Sequence, residues 1–246
     1  MSKPKLKVCW ISAGVSSFVA GYLVRDTVDK FIYIDVADQH PDSLRFIHDC
    51  EAALEKPIEI IKNERYRCVR DVCVANKMIA LPSGAKCTQV LKKRVRKKWE
   101  YEHRDYDITY VWGMDLNERN RADRLNESMP EFHHEFPLID KQLTKADVHG
   151  ICANLGIKRP ITYDLGYSNN NCVGCIKGGK GYWNKIRIDF PDVFDDRAKM
   201  EREIGLSILR DKDGNRLYLD ELDPNDGRMN DEIMEDCSIF CQMAIS

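Results

Sequence analysis

The sequence predicts an α/β fold, a doubly wound and mostly parallel sheet with helices on both faces. Three observations carry this expectation. Short β-branched runs at residues 6–11, 31–34, 58–61 and 108–112 are separated by segments whose apolar residues recur at helical spacing. Strand, helix, strand, helix and strand follow one another between residues 6 and 61, the rhythm of parallel strands joined by crossover helices. Polar segments then fall at the carboxyl ends of those strands, where open sheets of this kind hold their ligands.

The first strand, residues 6–11, runs into Ser12, Ala13, Gly14, Val15, Ser16 and Ser17, and a helix follows with Phe18, Val19, Tyr22, Leu23 and Val28 on its apolar side. A strand that turns through Gly14 into a helix beginning at Ser16 and Ser17 offers unbonded N–H groups, hydroxyls and a positive dipole end. That combination suits an oxyanion. The second strand ends in Asp35, Val36, Ala37 and Asp38, so the two polar segments are expected to flank one crevice. Pro41 and Ser43 open a helix carrying Leu44, Ile47, Ala52 and Leu54. A helical pattern at Val69, Val72, Val74 and Met78 precedes the break at Pro82, Ser83 and Gly84. The next helix holds Cys87 and six basic residues among the seven from Lys92 to Lys98. Most of that charge is expected on a solvated face, with an anionic ligand near Cys87 or a nucleic acid as the alternatives.

After the fourth strand, residues 113–122 form a polar loop on the crevice side, and a helix from about Thr144 to Leu155 stops at Gly156. His133 and His134 lack ligand spacing and are expected to be structural or surface residues. Residues 190–208 read as a helix and residues 211–215 as a hairpin turn.

With 246 residues, 43% hydrophobic and 32% charged, and a net charge of −2, the chain has the composition of a soluble protein with no bias toward nucleic acid or membrane. No signal-peptide or membrane-spanning pattern is read, and the expected location is cytoplasmic. Ten cysteines are then mostly reduced thiols, of which Cys9, Cys50, Cys68, Cys73 and Cys152 are chiefly small core residues. The C-x-x-C at Cys172 and Cys175 lies among Asn and Gly and suits zinc or an iron-sulfur cluster. Cys87 offers a third ligand, and Cys152, Cys237 or Cys241 a fourth.

Five of these segments, in order, resemble the PP-loop adenine nucleotide alpha hydrolase-like superfamily, and within it the phosphoadenosine phosphosulfate (PAPS) and adenosine phosphosulfate (APS) reductase family. Residues 12–17 are similar to the PP-loop S-G-G-x-D-S, and residues 34–43 to I-D-T-G-x-x-F-P-E-T. Cys87 and the basic residues after it resemble the cysteine and R-K segment, and residues 113–122 the G-x-R-x-x-x-S-x-R-A loop. Tyr163, Asp164, Leu165, Gly166 and Tyr167, followed by Cys172 and Cys175, resemble the Y-D-Q-G-Y segment with its cysteine pair. Ser16 stands where the ATP-cleaving loop has Asp, Lys86 where cluster-bearing reductases have a second Cys, and Cys237 lacks the Gly and His of the reductase motif E-C-G-x-H.

The resemblance implies a Rossmann-like nucleotide-binding domain over residues 1–181 and a helical and hairpin extension over residues 182–246. It implies that Ser12, Ala13, Gly14, Ser16 and Ser17 hold the phosphate or sulfate end of APS or PAPS, with Asp35, Gly113, Arg121 and Gly166 around the nucleotide. Cys87, Cys172 and Cys175 would bind a [4Fe-4S] cluster or zinc. Cys237 would attack the sulfur, and a thioredoxin-like dithiol would resolve the product. The alternative is a PP-loop ATP pyrophosphatase that uses magnesium and adenylates an acceptor. A nucleotide-binding module without chemistry, and assembly as a homo-oligomer, stay open.

Overall fold

The computed structural model describes residues 2–81 and 84–229. Its elements in order are β1 (Lys5–Ile11), α1 (Val15–Leu23), β2 (Lys30–Asp35), α2 (Asp42–Leu54), β3 (Ile58–Lys62), α3 (Val69–Asn76), β4 (Ala80–Leu81), β5 (Gly84–Ala85), α4 (Arg94–Glu102), β6 (Asp107–Val111), α5 (Arg119–Ser128), β7 (His133–Glu135), α6 (Pro137–Asp140), α7 (Lys145–Asn154), α8 (Ile161–Asp164), α9 (Lys180–Asp189), α10 (Pro191–Ile204), β8 (Leu209–Arg210) and β9 (Arg216–Leu217). They form two compact units. One comprises Met1–Asp35, Pro41–Ile61 and Lys97–Leu165, the other Val36–His40, Lys62–Arg96 and Gly166–Ser246.

The first unit is built on a five-stranded sheet of order β3-β2-β1-β6-β7. β1 pairs in parallel with β2 and with β6, and β6 with β7. Alternation along each strand divides the side chains between two helical layers. Cys9, Ile11, Phe31, Tyr33 and Val111 face a core shared with Phe18 and Val19 of α1, Phe46 and Ile47 of α2, and Val148 and Cys152 of α7. On the opposite face Trp10 meets Trp99 of α4 edge-on at 5.6 Å, and the Tyr110 hydroxyl donates to Glu100 at 2.7 Å. The doubly wound parallel architecture expected from the sequence is therefore present.

The fifth strand, β7, lies where the sequence suggested only structural histidines. His134 pairs with Tyr110 in the sheet. Its Nδ1 accepts the Trp112 indole N–H at 3.0 Å, so the ring proton sits on Nε2 and is donated to the Met129 carbonyl at 3.0 Å. A neutral imidazole is thereby built into the sheet edge.

The second unit packs α9 and α10 around Trp183, Tyr182, Ile186, Phe194 and Leu219. Residues 36–40 belong to it. The Ala37 N–H donates to the Arg67 carbonyl at 3.0 Å, the Val173 N–H to the Asp38 carbonyl at 2.8 Å, and Gln39 forms an antiparallel bridge with Cys172. The Asp38 carboxylate accepts the Val69 N–H at 2.6 Å and pairs with the guanidinium of Arg197. Both side chains are nearly inaccessible, 7% and 4% exposed. Burial pushes Asp38 up while Arg197 pulls it back. Asp38 is thus a structural ion-pair partner rather than a crevice-lining acid.

Two boundaries depart from the sequence pattern. α9 was not anticipated, because its buried residues include Gly181 and Asn184, which weaken an apolar stripe. α10 stops at Ile204 rather than continuing to residue 208, since Gly205 adopts φ +70 and closes the helix in the left-handed form. Among the described residues no helix is long and apolar enough to cross a membrane.

Glu201, fully buried on α10, accepts the N–H groups of Ile208 and of Leu219, the latter at 2.6 Å, and so fastens the segment around β8 and β9 to the helix. Burial pushes its carboxyl up from 4.5 to about 7. The group binds protons more readily folded than unfolded. Its contribution to stability is therefore full below about 4.5 and is lost as pH rises through about 7. Urea denaturation across that range is expected to show a loss of roughly 3 kcal/mol. Glu201→Gln is expected to flatten this pH dependence, and Glu201→Ala to cost about 2–4 kcal/mol by orphaning two buried N–H groups.

Candidate functional site

The bend between β1 and α1 is shaped by one strained residue and two hydroxyls. Ala13, not Gly14, carries the reversal. It is fully buried with φ +60, whereas Gly14 is extended at φ −98 and ψ 152. Gly14 supplies space instead, because a Cβ there would lie 3.2 Å from the Ser12 Oγ and 3.4 Å from the Tyr163 hydroxyl.

Counting protons assigns the hydroxyls. Ser17 Oγ donates its single proton to the Gly14 carbonyl at 2.9 Å and accepts the Ser12 N–H at 2.9 Å. The 3.1 Å contact between the Ser12 and Ser17 hydroxyls must then have Ser12 as donor, and Ser12 Oγ accepts the Gly14 N–H at 3.4 Å. Neither hydroxyl keeps a proton for a ligand. Here the Ser12 and Ser17 hydroxyls brace the bend.

What faces outward is Ser16, half-buried with a hydroxyl that makes no hydrogen bond among the described residues. The Ser16 N–H stands with it as a first-turn donor beyond the reach of helical acceptors; Ser17 is buried, with Gly113 packed on its backbone. No acidic residue occupies the first turn of α1. The Val15 N–H is taken by the Tyr163 hydroxyl at 3.4 Å. Tyr163 is delivered there by α2. Arg45 pairs with Asp42 at 2.6 Å and donates to the Lys158 and Arg159 carbonyls at 3.0 and 3.2 Å, while Asp42 accepts the Ile161 N–H at 2.8 Å. The ring of His149 meets Tyr163 edge-on at 4.8 Å, and burial, Arg159 and Lys145 all hold that imidazole below its ordinary value.

Gly113 closes the bend from β6. A Cβ at this position would fall 2.5 Å from the Ser17 nitrogen, so only glycine permits the approach. Asp35 ends β2. It lies two residues beyond Tyr33, the partner of Ile11 at the end of β1. It is half-buried, and its carboxylate joins no hydrogen bond or ion pair among the described residues. Arg121 is paired with Glu118 at 2.5 Å on α5. The bend, Asp35, Gly113 and Tyr163 all belong to the first unit. The tyrosine was missed as a site residue, although it opens the Y-D-L-G-Y segment read from the sequence.

The cysteine segment belongs to the second unit. Cys172 and Cys175 are buried, and the Tyr182 hydroxyl sits inside their loop, accepting the Cys175 N–H at 2.9 Å and donating to the Cys172 carbonyl at 3.3 Å. Gly174, at φ +69, packs against Val193, and Gly178 packs against the Tyr182 ring. The glycines around the C-x-x-C thus serve packing. Cys87 is buried at the start of a π-helical segment, Thr88–Lys93, that precedes α4. Lys92 and Arg96 are buried beyond it, so the basic run is not wholly a solvated face. Among the described residues no three His, Cys, Asp or Glu side chains gather as a metal-ion group. Cys87, Cys172 and Cys175 all belong to the second unit and are all buried. Gly166 lines a separate recess of about 20 Å³ with Tyr167, Tyr182 and Lys185. Of the other thiols, Cys9, Cys50, Cys73 and Cys152 are core residues and Cys68 caps α3, accepting the Asp71 N–H at 3.4 Å. Cys237 and Cys241 lie outside the described residues.

No family model and no curated protein matches the chain. Among solved structures, the crystal structure of phosphoadenylyl-sulfate (PAPS) reductase from Candida auris in a phosphate complex is similar at a TM-score of 0.48 and 14% identity, over 68% of this chain and 80% of that one.

Two glycine substitutions separate packing at the bend from ordinary helix propensity. Gly113→Ala is expected to lower stability by about 2–4 kcal/mol, because backbone must move. Gly150→Ala, in α7 with nothing within 4 Å of the added carbon, is expected to raise it by about 0.5–1 kcal/mol. Thermal melting of the two variants beside the parent chain checks both.

Proposed function

We propose that the chain binds the phosphate or sulfate end of an adenine nucleotide at the bend of residues 12–17, as an enzyme of the PAPS/APS reductase kind. The observation that carries this reading is the proton balance of the bend. With Ser12 and Ser17 occupied internally, the Ser16 hydroxyl and backbone N–H stand at a positive helix end, a donor pair suited to an oxyanion. The resemblance of five ordered segments supplies the adenylate and the sulfonyl group.

The chemistry proposed with it is thiol attack. The Cys237 thiolate forms a bond to the sulfonyl sulfur, the bond from that sulfur to the phosphate oxygen breaks, and AMP departs with the electron pair. An external dithiol then reduces the S-sulfonated cysteine, releasing sulfite and becoming a disulfide. The α1 terminus stabilises charge that shifts onto the leaving phosphate. No step is assigned to a metal or cluster. The ATP-cleaving alternative is the weaker one, because Ser16 stands where the ATP-cleaving loop has Asp and the first turn of α1 carries no acid.

Calorimetric titration of APS or AMP without divalent cations tests the reading. Binding is expected, with Ser16→Ala weakening it roughly tenfold while leaving the melting temperature unchanged. Cys237→Ser is expected to abolish sulfite release from APS with a dithiol present and to leave nucleotide affinity within about twofold. Binding that requires magnesium, or pyrophosphate release from ATP, would favour the alternative.

A further inference from the structure

We propose that Cys172 and Cys175 are a redox couple, two thiols that close to an intramolecular disulfide by exchange with a small disulfide such as oxidised glutathione and reopen with a dithiol. The inference stands apart from the nucleotide reading, because every residue it uses belongs to the second unit. Its first support is distance. Val173 and Gly174 are the two central residues of a reverse turn whose ends are Cys172 and Cys175. The Cα atoms bounding such a turn lie less than about 7 Å apart, and a disulfide spans roughly 4.4–6.8 Å between Cα atoms. The Tyr182 hydroxyl ties the two ends together, accepting the Cys175 N–H at 2.9 Å and donating to the Cys172 carbonyl at 3.3 Å.

The second support is rigidity. Gly174 holds φ +69, and a Cβ there would lie 2.5 Å from the Val193 side chain, so the turn is fixed by a residue that only glycine can supply. Cys172 is bridged to Gln39, the Val173 N–H donates to the Asp38 carbonyl at 2.8 Å, and the Cys175 carbonyl accepts the Gly178 N–H at 3.0 Å. Two thiols held at the ends of one turn meet far more often than either meets a thiol in solution. The third support is shielding. With Cys172 and Cys175 only 7% and 5% exposed, a glutathionyl group has little room to persist on either sulfur, which favours its displacement by the neighbouring thiol. Of the other described cysteines, Cys9, Cys50, Cys73 and Cys152 sit on β1, α2, α3 and α7, and Cys68 caps α3, so no second pair shares a turn. In the exchange one thiol loses its proton and attacks a glutathione sulfur, the S–S bond breaks, and a glutathione thiolate leaves with the electron pair. The second thiol, likewise deprotonated, attacks the protein sulfur of the mixed disulfide and expels the second glutathione thiolate. The chain has then lost two electrons and two protons, and the oxidant has become two molecules of glutathione.

Equilibration of the full chain with excess oxidised glutathione, followed by acid quenching, alkylation in denaturant and peptide mapping, tests the assignment. The peptide holding residues 172–175 is expected to carry an internal disulfide and no alkyl group in most chains, while Cys9, Cys50, Cys73 and Cys152 are alkylated. Dithiothreitol is expected to return both thiols. In Cys172→Ser, shown by circular dichroism to be folded, Cys175 is expected to stay alkylatable, with any glutathione adduct at least about fivefold below the disulfide of the parent chain. Two alkylated thiols in the parent chain, glutathione adducts accumulating on them, linkage of either one to Cys237 or Cys241, or protection that ends only when a chelator removes a metal ion would each overturn the proposal.

Discussion

Ser17 gives its hydroxyl proton to the Gly14 carbonyl while accepting the N–H of Ser12 and facing the Ser12 hydroxyl at 3.1 Å. This exchange holds Ala13 in a left-handed conformation that a residue with a Cβ adopts only at a cost of about 1–2 kcal/mol. It also directs the first turn of α1 so that its unsatisfied groups, rather than its serines in general, point outward. Gly113 can approach because that turn is fixed, and Tyr163 can place its oxygen on the Val15 N–H for the same reason. The candidate site is therefore a property of the backbone at residues 13–17, with the side chains of Ser12 and Ser17 as its internal braces.

The second unit is organised by buried polar groups that satisfy one another. Asp38 and Arg197 anchor residues 36–40, Glu201 holds two N–H groups beyond α10, and the Tyr182 hydroxyl bridges the loop of Cys172 and Cys175. Buried polar atoms are costly when left unpaired, which makes each of these contacts specific in geometry. Asp38, one of the polar residues after β2 expected to flank the crevice, is a partner in this framework. An acid looks the same in a sequence whether it meets a substrate or a guanidinium.

The parallel sheet was legible because β-branched runs and helical periodicity are local signals, and residues 6–61 carry both without interruption. The position of the bend was legible for the same reason. Its internal hydrogen bonding was not, since which serine faces outward depends on the φ of Ala13 and on a tyrosine 148 residues away. β7 is three residues long and carries two histidines, so it has no strand signature of its own and exists through pairing with β6. The capping box of α7 at Thr144 and Asp147 shows the opposite case, a local rule that sets a boundary as expected. Gathering of Cys87 with Cys172 and Cys175 requires a tertiary contact that spacing cannot encode.

The most direct measurement of the central claim is a backbone amide NMR titration of the intact chain with sulfate or phosphate in the absence of divalent cations. The account predicts that the Ser16 amide resonance moves most and saturably, with those of Ser12 and Gly14 nearly still because their N–H groups are already bonded within the bend. Saturable shifts confined to other segments, with residues 14–17 unmoved, would contradict it.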